Sequence, residues 1–262
     1  MRGACSALLL LAATAASAER CDRQHDVIAL DPGHTTAQPG AISARGVPEV
    51  RFNRELAKRT AEALKAAGFD RVFITSDLRD DLGLAERAAL AARRGARLLL
   101  SLHHDSVQPR YLSSWSVNGS TQWYSDRYSG YSLFVSERNR NAQDSLELAG
   151  QIGSELRRRC LVPTRHHAEA VPGEGRELID AARGIYRYDE LVVLQEAPMP
   201  AVLFEAGLIV NRADELVLQS PERQRLVAQA LTTAIVRYCG HEALPQDAPI
   251  CDGDPGGPPV SR

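Results

Sequence analysis

The chain has 262 residues, 44% of them hydrophobic, enough to bury a full core as one large domain with appendages. A formal net charge of -2 gives no reason to expect nucleic-acid binding, which normally demands a basic face. After the first twenty residues no segment approaches the ~20 apolar residues of a transmembrane helix, so no membrane anchor is expected.

Those first residues read as an export signal. Arg2, an apolar run from Ala7 to Ala15 and the small-residue site Ala16-Ser17-Ala18 predict cleavage after Ala18 and a periplasmic or secreted protein. Cys5 leaves with the signal, and Cys21, Cys160, Cys239 and Cys251 remain, an even number for an oxidising compartment. One or two disulfides are expected. Sequence does not choose among the pairings, although Cys239 and Cys251 are spaced to close a short loop.

The apolar run Val27-Ile28-Ala29-Leu30 has strand character, and Asp31-Pro32-Gly33 stops it and delivers His34 into a turn. A polar loop follows through Gly46. Pro48-Glu49 then opens a helix to about Ala67, with Phe52, Leu56, Ala63 and Leu64 near helical spacing and Gly68 as a stop. A strand at Arg71 to Thr75 completes a βαβ unit. A second helix is predicted from about Leu84 to Arg94, and a third strand, Leu98 to Leu102, runs into His103-His104-Asp105.

Residues 107–129 mix serines with Tyr111, Trp115 and Trp123 without a sustained period, which predicts a long loop or insertion. A strand at Tyr131 to Ser136 and a helix at Asp144 to Arg159 follow. The segment 161–184 holds His166-His167, several acids and a Val-Pro-Gly-Glu-Gly break, and reads as a lid, a regulatory element or a surface loop. Leu191 to Leu194 and Ala201 to Phe204 are strand candidates, the second leading into Glu205-Ala206-Gly207. Helices at Arg212 to Leu218 and Glu222 to Tyr238 close the pattern, and from Leu244 a tail rich in proline, glycine and aspartate is expected to be disordered. The expected fold is α/β, three-layer, with a mostly parallel twisted sheet flanked by helices. Its boundaries are a signal at 1–18, a catalytic domain at 19–243 and a tail at 244–262.

In a parallel sheet successive carboxyl ends share one edge, so His34, His103 or His104, and Glu205 can converge with Glu49 at the first helix start. Two histidines and a carboxylate with an open fourth position suit a catalytic zinc, and a further glutamate can take a proton from water. Singly, each residue has a plainer explanation. His34 suits a turn, Glu49 a helix N-terminus and His103 a packed strand end, while a buried Glu205 would need a partner such as Arg45 or Arg87.

Five ordered pieces carry a resemblance that decides between these explanations: Leu30-Asp31-Pro32-Gly33-His34, Gly46-x-x-Glu49, Leu84-x-x-Arg87 with its alanine-rich helix, Ser101-Leu102-His103, and Met199 through Gly207. From about Val27 to Tyr238 the chain resembles the zinc-dependent N-acetylmuramoyl-L-alanine amidases, type 3, which cleave bacterial cell-wall peptidoglycan. The resemblance implies one zinc on His34, Glu49 and His103, with Glu205 as catalytic carboxylate. It implies peptidoglycan or muropeptides as substrate. Asp31, Thr35, Arg87, His104 and Asp105 then become candidates for substrate contacts or for orienting the ligands.

The chain departs from the family pattern where His104 intervenes before Asp105 and where Thr35-Thr36 replaces the usual Gly-Gly. His103 is preferred over His104 because the motif aligns there. Some relatives cover the zinc with an element that an activator removes, so 107–129 and 161–184 are the segments to inspect, and a protein activator is a candidate partner of an otherwise monomeric enzyme. A zinc peptidase cutting another cell-wall amide and a non-catalytic peptidoglycan-binding protein are the alternatives.

Overall fold

The structure is a computed structural model that describes residues 20–241. The predicted signal peptide and the tail from residue 244 lie outside the described residues.

Nine strands and seven α-helices are described. In chain order they are β1 Val27–Pro32, α1 Glu49–Ala66, β2 Arg71–Ile74, α2 Thr75–Leu78, α3 Leu84–Arg93, β3 Ala96–Asp105, β4 Ser113–Val117 and β5 Ser120–Tyr124. There follow β6 Ser132–Val135, α4 Ala142–Arg158, β7 Glu177–Asp180, β8 Ile185–Arg187, α5 Val192–Glu196, β9 Ala201–Leu208, α6 Arg212–Leu218 and α7 Pro221–Tyr238. A seven-stranded sheet runs in the order β2-β1-β3-β9-β6-β8-β7. Its β2-β1-β3-β9 half is parallel, β6 is antiparallel to β9, and β7 is antiparallel to β8. The expected mostly parallel α/β sheet is therefore present.

Alternation along the strands explains the three layers. Ile28, Leu30, Leu98, Leu100 and Leu102 point to one face, where they pack with Leu56 and Leu64 of α1, Ile152 and Leu156 of α4, and Leu231 and Ile235 of α7. Ala29 and Leu99 point to the other, against Ala88 and Ala91 of α3 and Val193 and Leu194 of α5. Small residues on this second face, with Ala96 and Ala201 beside them, let α3 lie close to the sheet. β1 is buried along its whole length between two parallel neighbours, which is why its sequence is a continuous apolar run rather than an alternating one.

Three expectations are corrected. Residues 107–129 are no plain loop, because β4 and β5 form an antiparallel hairpin turned at Asn118-Gly119. Both turn residues have positive φ, 50° and 79°, the conformation that Asn-Gly supplies at small cost in a two-residue hairpin. Leu191 to Leu194 is not a strand but the entry to α5; a short apolar run does not reveal its own period, and the amide of Asn139 captures the carbonyls of Leu194, Ala197 and Met199 at the helix exit. The neighbouring strand is Ile185–Arg187 instead.

Cys239 pairs with Cys21, not with Cys251, and so ties the start of the described chain to the end of α7 across a sequence separation of 218. Closing so long a loop removes denatured-state entropy worth about 5 kcal/mol in the chain-entropy model. We expect Cys239→Ser to lower the unfolding free energy by about 2–5 kcal/mol in denaturant titrations without reductant. An unchanged midpoint would remove the disulfide from the list of what holds the fold.

Candidate metal centre

The first corner of the site is set by backbone geometry. β1 stops at Pro32, the Gly33 amide donates to the Leu102 carbonyl of β3 at 2.9 Å, and His34 adopts a left-handed φ of 69°. A histidine in that region is uncommon and needs support. Arg87 of α3 supplies it. Its guanidinium, 4% exposed, donates to Asp31 Oδ1 at 2.9 Å, to the Pro32 carbonyl at 2.7 Å and to the His34 carbonyl at 2.6 Å. Asp31 is held in turn by Thr75 Oγ1 at 2.5 Å and Ser101 Oγ at 3.3 Å. The Leu84-x-x-Arg87 spacing thus acts at a distance from the centre: Arg87 and Asp31 hold the His34 turn and touch no ligand side chain. Thr35 caps the same turn, its hydroxyl accepting from Gln38 N at 2.9 Å.

His34, Glu49 and His103 come together as expected. His34 Nε2 lies 2.9 Å from Glu49 Oε2, and His103 Nδ1 lies 3.1 Å from Glu49 Oε1. One ligand atom from each falls within 4.8 Å of the others. Two glycines leave room for this. A Cβ at Gly33 would meet the His103 ring at 2.0 Å, and one at Gly40 would lie 2.5 Å from Glu49 Oε2 and 2.6 Å from His34 Cδ2. The side chains are 32% exposed for His34, 18% for His103 and 5% for Glu49, so the group opens toward solvent on the His34 side. Burial pushes the Glu49 carboxyl up, but the hydrogen bonds from His103 and His34 outweigh it and hold the group well below the usual carboxylate range.

Asn53, one helical turn beyond Glu49, escaped the sequence reading. Fully buried, its amide nitrogen donates to Glu49 Oε1 at 3.0 Å and to the Gly33 carbonyl at 3.1 Å, and its oxygen lies 2.8 Å from His104 Nδ1. The available signal was its i+4 position on the face of α1 that carries Glu49. His104 lies outside the converging group: its Nδ1 is taken by Asn53, its ring sits against Phe52, and only its backbone amide reaches Glu49, at 3.2 Å, while burial drops its pKa to about 4.

Glu205 stands opposite His103 in the β3-β9 register, within the strand rather than beyond its end. Neither arginine considered for it is its partner. Arg45 pairs with the buried Glu215 at 2.6 Å and Arg87 with Asp31. Oε2 of Glu205 is shut off from solvent without a hydrogen-bond partner. Burial first, then the nearby Asp105 and Glu49, push its pKa well above the ordinary value.

Asp105 orients neither ligand histidine. It meets His167 Nε2 at 2.8 Å and His166 Nε2 at 3.2 Å, so the segment 161–184 reaches the sheet edge at Asp105 and not at the His34 group. Burial raises Asp105, and the two histidines more than reverse that; burial lowers His167, and Asp105 with Glu174 raise it to about 9. Other acids of the segment are engaged elsewhere. Glu169 accepts from Tyr111 Oη at 2.7 Å and from Tyr128, tying 161–184 to 107–129, and Glu177 pairs with Arg187 at 2.8 Å.

Two imidazoles and a carboxylate, converging at a parallel sheet's carboxyl edge with one side open, are the donor set and shape of an open zinc site. That arrangement defines the class: an α/β domain with a candidate two-histidine, one-carboxylate metal site. A sequence model of the N-acetylmuramoyl-L-alanine amidases matches residues 28–237, and the chain belongs to that family. Among curated relatives, it is 27% identical over 230 residues to the N-acetylmuramoyl-L-alanine amidase AmiC of Neisseria meningitidis, covering 83% of this chain and 54% of AmiC. It is 26% identical over 227 residues to the probable amidase AmiB of Haemophilus influenzae, covering 80% of this chain and 51% of that protein. The chain thus spans about half the length of these two relatives. The crystal structure of the amidase Ami1 from Mycobacterium smegmatis superposes with a TM-score of 0.66 at 22% identity, covering 84% of this chain and 99% of Ami1, and shares the fold.

The seat of His103 on Gly33 gives a direct check. Gly33→Ala places a methyl where the imidazole lies, and we expect zinc affinity, measured by chelator competition, to fall at least ~10-fold while circular dichroism stays native. Unchanged affinity would show that this contact does not aim the ring.

Proposed function

We propose that the chain is an exported zinc hydrolase that cuts the amide between the lactyl group of N-acetylmuramic acid and L-alanine of the peptidoglycan stem peptide. The observation that carries this reading is the convergence of His34, Glu49 and His103, with Glu205 in register beside His103, in a member of this amidase family. The Cys21–Cys239 disulfide agrees with an oxidising compartment, and among the described residues no helix is long and apolar enough to cross a membrane.

In this reading His34, Glu49 and His103 hold one zinc, which supplies Lewis acidity to the scissile carbonyl and acidifies water. The protein fixes the three ligands before the metal arrives. Glu49 is held ionised by its imidazole neighbours, and Asn53 and the His104 amide prevent its carboxylate from swinging away. Glu205, unpartnered and bordered by two anions, has the proton affinity of a general base and acid. It accepts the proton of the attacking water as the carbon–oxygen bond forms. It returns that proton to the departing alanine nitrogen as the carbon–nitrogen bond breaks, leaving a lactyl carboxylate and a free amine.

Three measurements on purified peptidoglycan test this. Glu205→Ala is expected to keep the zinc and lose at least ~10²-fold in kcat, and His34→Ala to lose both that zinc and the activity. Product analysis should find free L-alanine amino groups and peptide-free glycan. New amines inside the stem peptide with the muramoyl-alanine bond intact would instead make the chain a peptidase, and wild-type inactivity on every muropeptide with zinc supplied would make it a binding protein.

A further inference from the structure

None of the three residues that 161–184 and β3 bring together is among those proposed to hold the first zinc, yet they repeat that donor set; Asp105 bears on the first site only as an anion near Glu205. We propose that Asp105, His166 and His167 form a second divalent-cation site, for zinc or a similar borderline cation, that clips the segment 161–184 onto the strand carrying His103.

The contacts are ion pairs without a metal, and their geometry is also that of a metal site. Both Nε2 atoms converge on one oxygen, Asp105 Oδ2, from 3.2 Å for His166 and 2.8 Å for His167. Ligand atoms of all three lie within 4.8 Å of one another. The far side of each ring is already held. His166 Nδ1 lies 2.9 Å from Thr164 Oγ1, and His167 Nδ1 lies 3.1 Å from Glu174 Oε2, the latter being the carboxylate–histidine arrangement that orients metal-binding imidazoles. The two rings are 3.8 Å apart between centroids, too close for two imidazolium ions to be favourable neighbours.

His166 decides between a proton and a cation. A proton on His167 satisfies that residue between Asp105 and Glu174, but His166 Nε2, in a residue 3% exposed, then faces Asp105 Oδ2 at 3.2 Å without the alignment of a hydrogen bond. A buried polar atom left so is costly. One divalent cation placed against Oδ2 answers both imidazoles and the carboxylate together. Imidazole and carboxylate select zinc and its neighbours over calcium or magnesium. A cavity of about 150 Å³ lined by His167, Glu174, Arg176 and Glu205 lies beside His167. The two centres share no residue, so each can be emptied alone.

The test uses the full chain, stripped with chelator and titrated with zinc alone, with bound metal counted after desalting. Wild type is expected to hold two equivalents and His34→Ala one. That remaining equivalent should vanish when His166→Ala and His167→Ala are added, and should weaken about 10- to 100-fold with Glu174→Gln. His34→Ala leaves every residue of the proposed site in place, so its result does not depend on whether the cluster variants fold. A His34→Ala chain that binds no zinc overturns the second site while leaving the amidase reading intact. A wild type holding a single equivalent that survives His34→Ala but not the histidine-pair variant would keep the second site and overturn the first.

Discussion

Everything at the sheet edge is arranged around one buried carboxylate. Glu49 is 4% exposed and receives donors on both oxygens: Asn53 Nδ2, His103 Nδ1 and the His104 amide on Oε1, His34 Nε2 and the Ala41 amide on Oε2. Several kcal/mol of desolvation oppose burying such a charge, and only a full set of donors offsets it. Those donors come from the β1-α1 loop, from α1 and from β3. The carboxylate can be satisfied only when loop, helix and strand are all in place, so the fold and the convergence of His34, Glu49 and His103 are one condition.

A second buried ion pair carries the strain this demands. His34 must leave β1 in a left-handed conformation to turn its ring toward Glu49, and Arg87 grips the turn through three oxygens while Asp31 anchors the guanidinium. Removing one partner of such a pair leaves a charge stranded in the interior, typically at a cost of 3–5 kcal/mol. α3 approaches closely enough to deliver Arg87 because the sheet face beneath it is lined with alanine. Packing of small residues on one face thus becomes ligand geometry at the strand end.

What sequence made legible follows the same physics. β1, β3 and β9 are apolar runs because parallel strands are buried on both faces, and the polar residues that follow or interrupt such runs stood out as His34, His103 and Glu205. The family resemblance then placed Glu49, which alone looked like any acid at a helix start. Partners that depend on three-dimensional proximity did not show. Arg45 and Arg87 were equally plausible for Glu205, and both went to other carboxylates. Asn53 carried a usable cue, its spacing from Glu49 on one helix, whereas the pairing of Cys239 with Cys21 across the whole domain carried none. The Asn118-Gly119 hairpin was legible in principle and was hidden by the polar strands on either side of it.

Three carboxylates share this edge, and what faces their oxygens separates their chemistry. Glu49 and Asp105 are as deeply placed as Glu205, and burial raises all three, yet imidazoles opposite the first two reverse the shift. Glu205 meets no donor at Oε2 and feels both of the others as anions. Two carboxylates held ionised suit cation ligands, and one whose proton is favoured suits proton transfer; an environment that drives neighbouring acids apart is how a site divides such roles. The division needs no residue beyond those that build the edge itself. It follows from which carboxylates His34, His103 and the histidines of the 161–184 segment are able to reach.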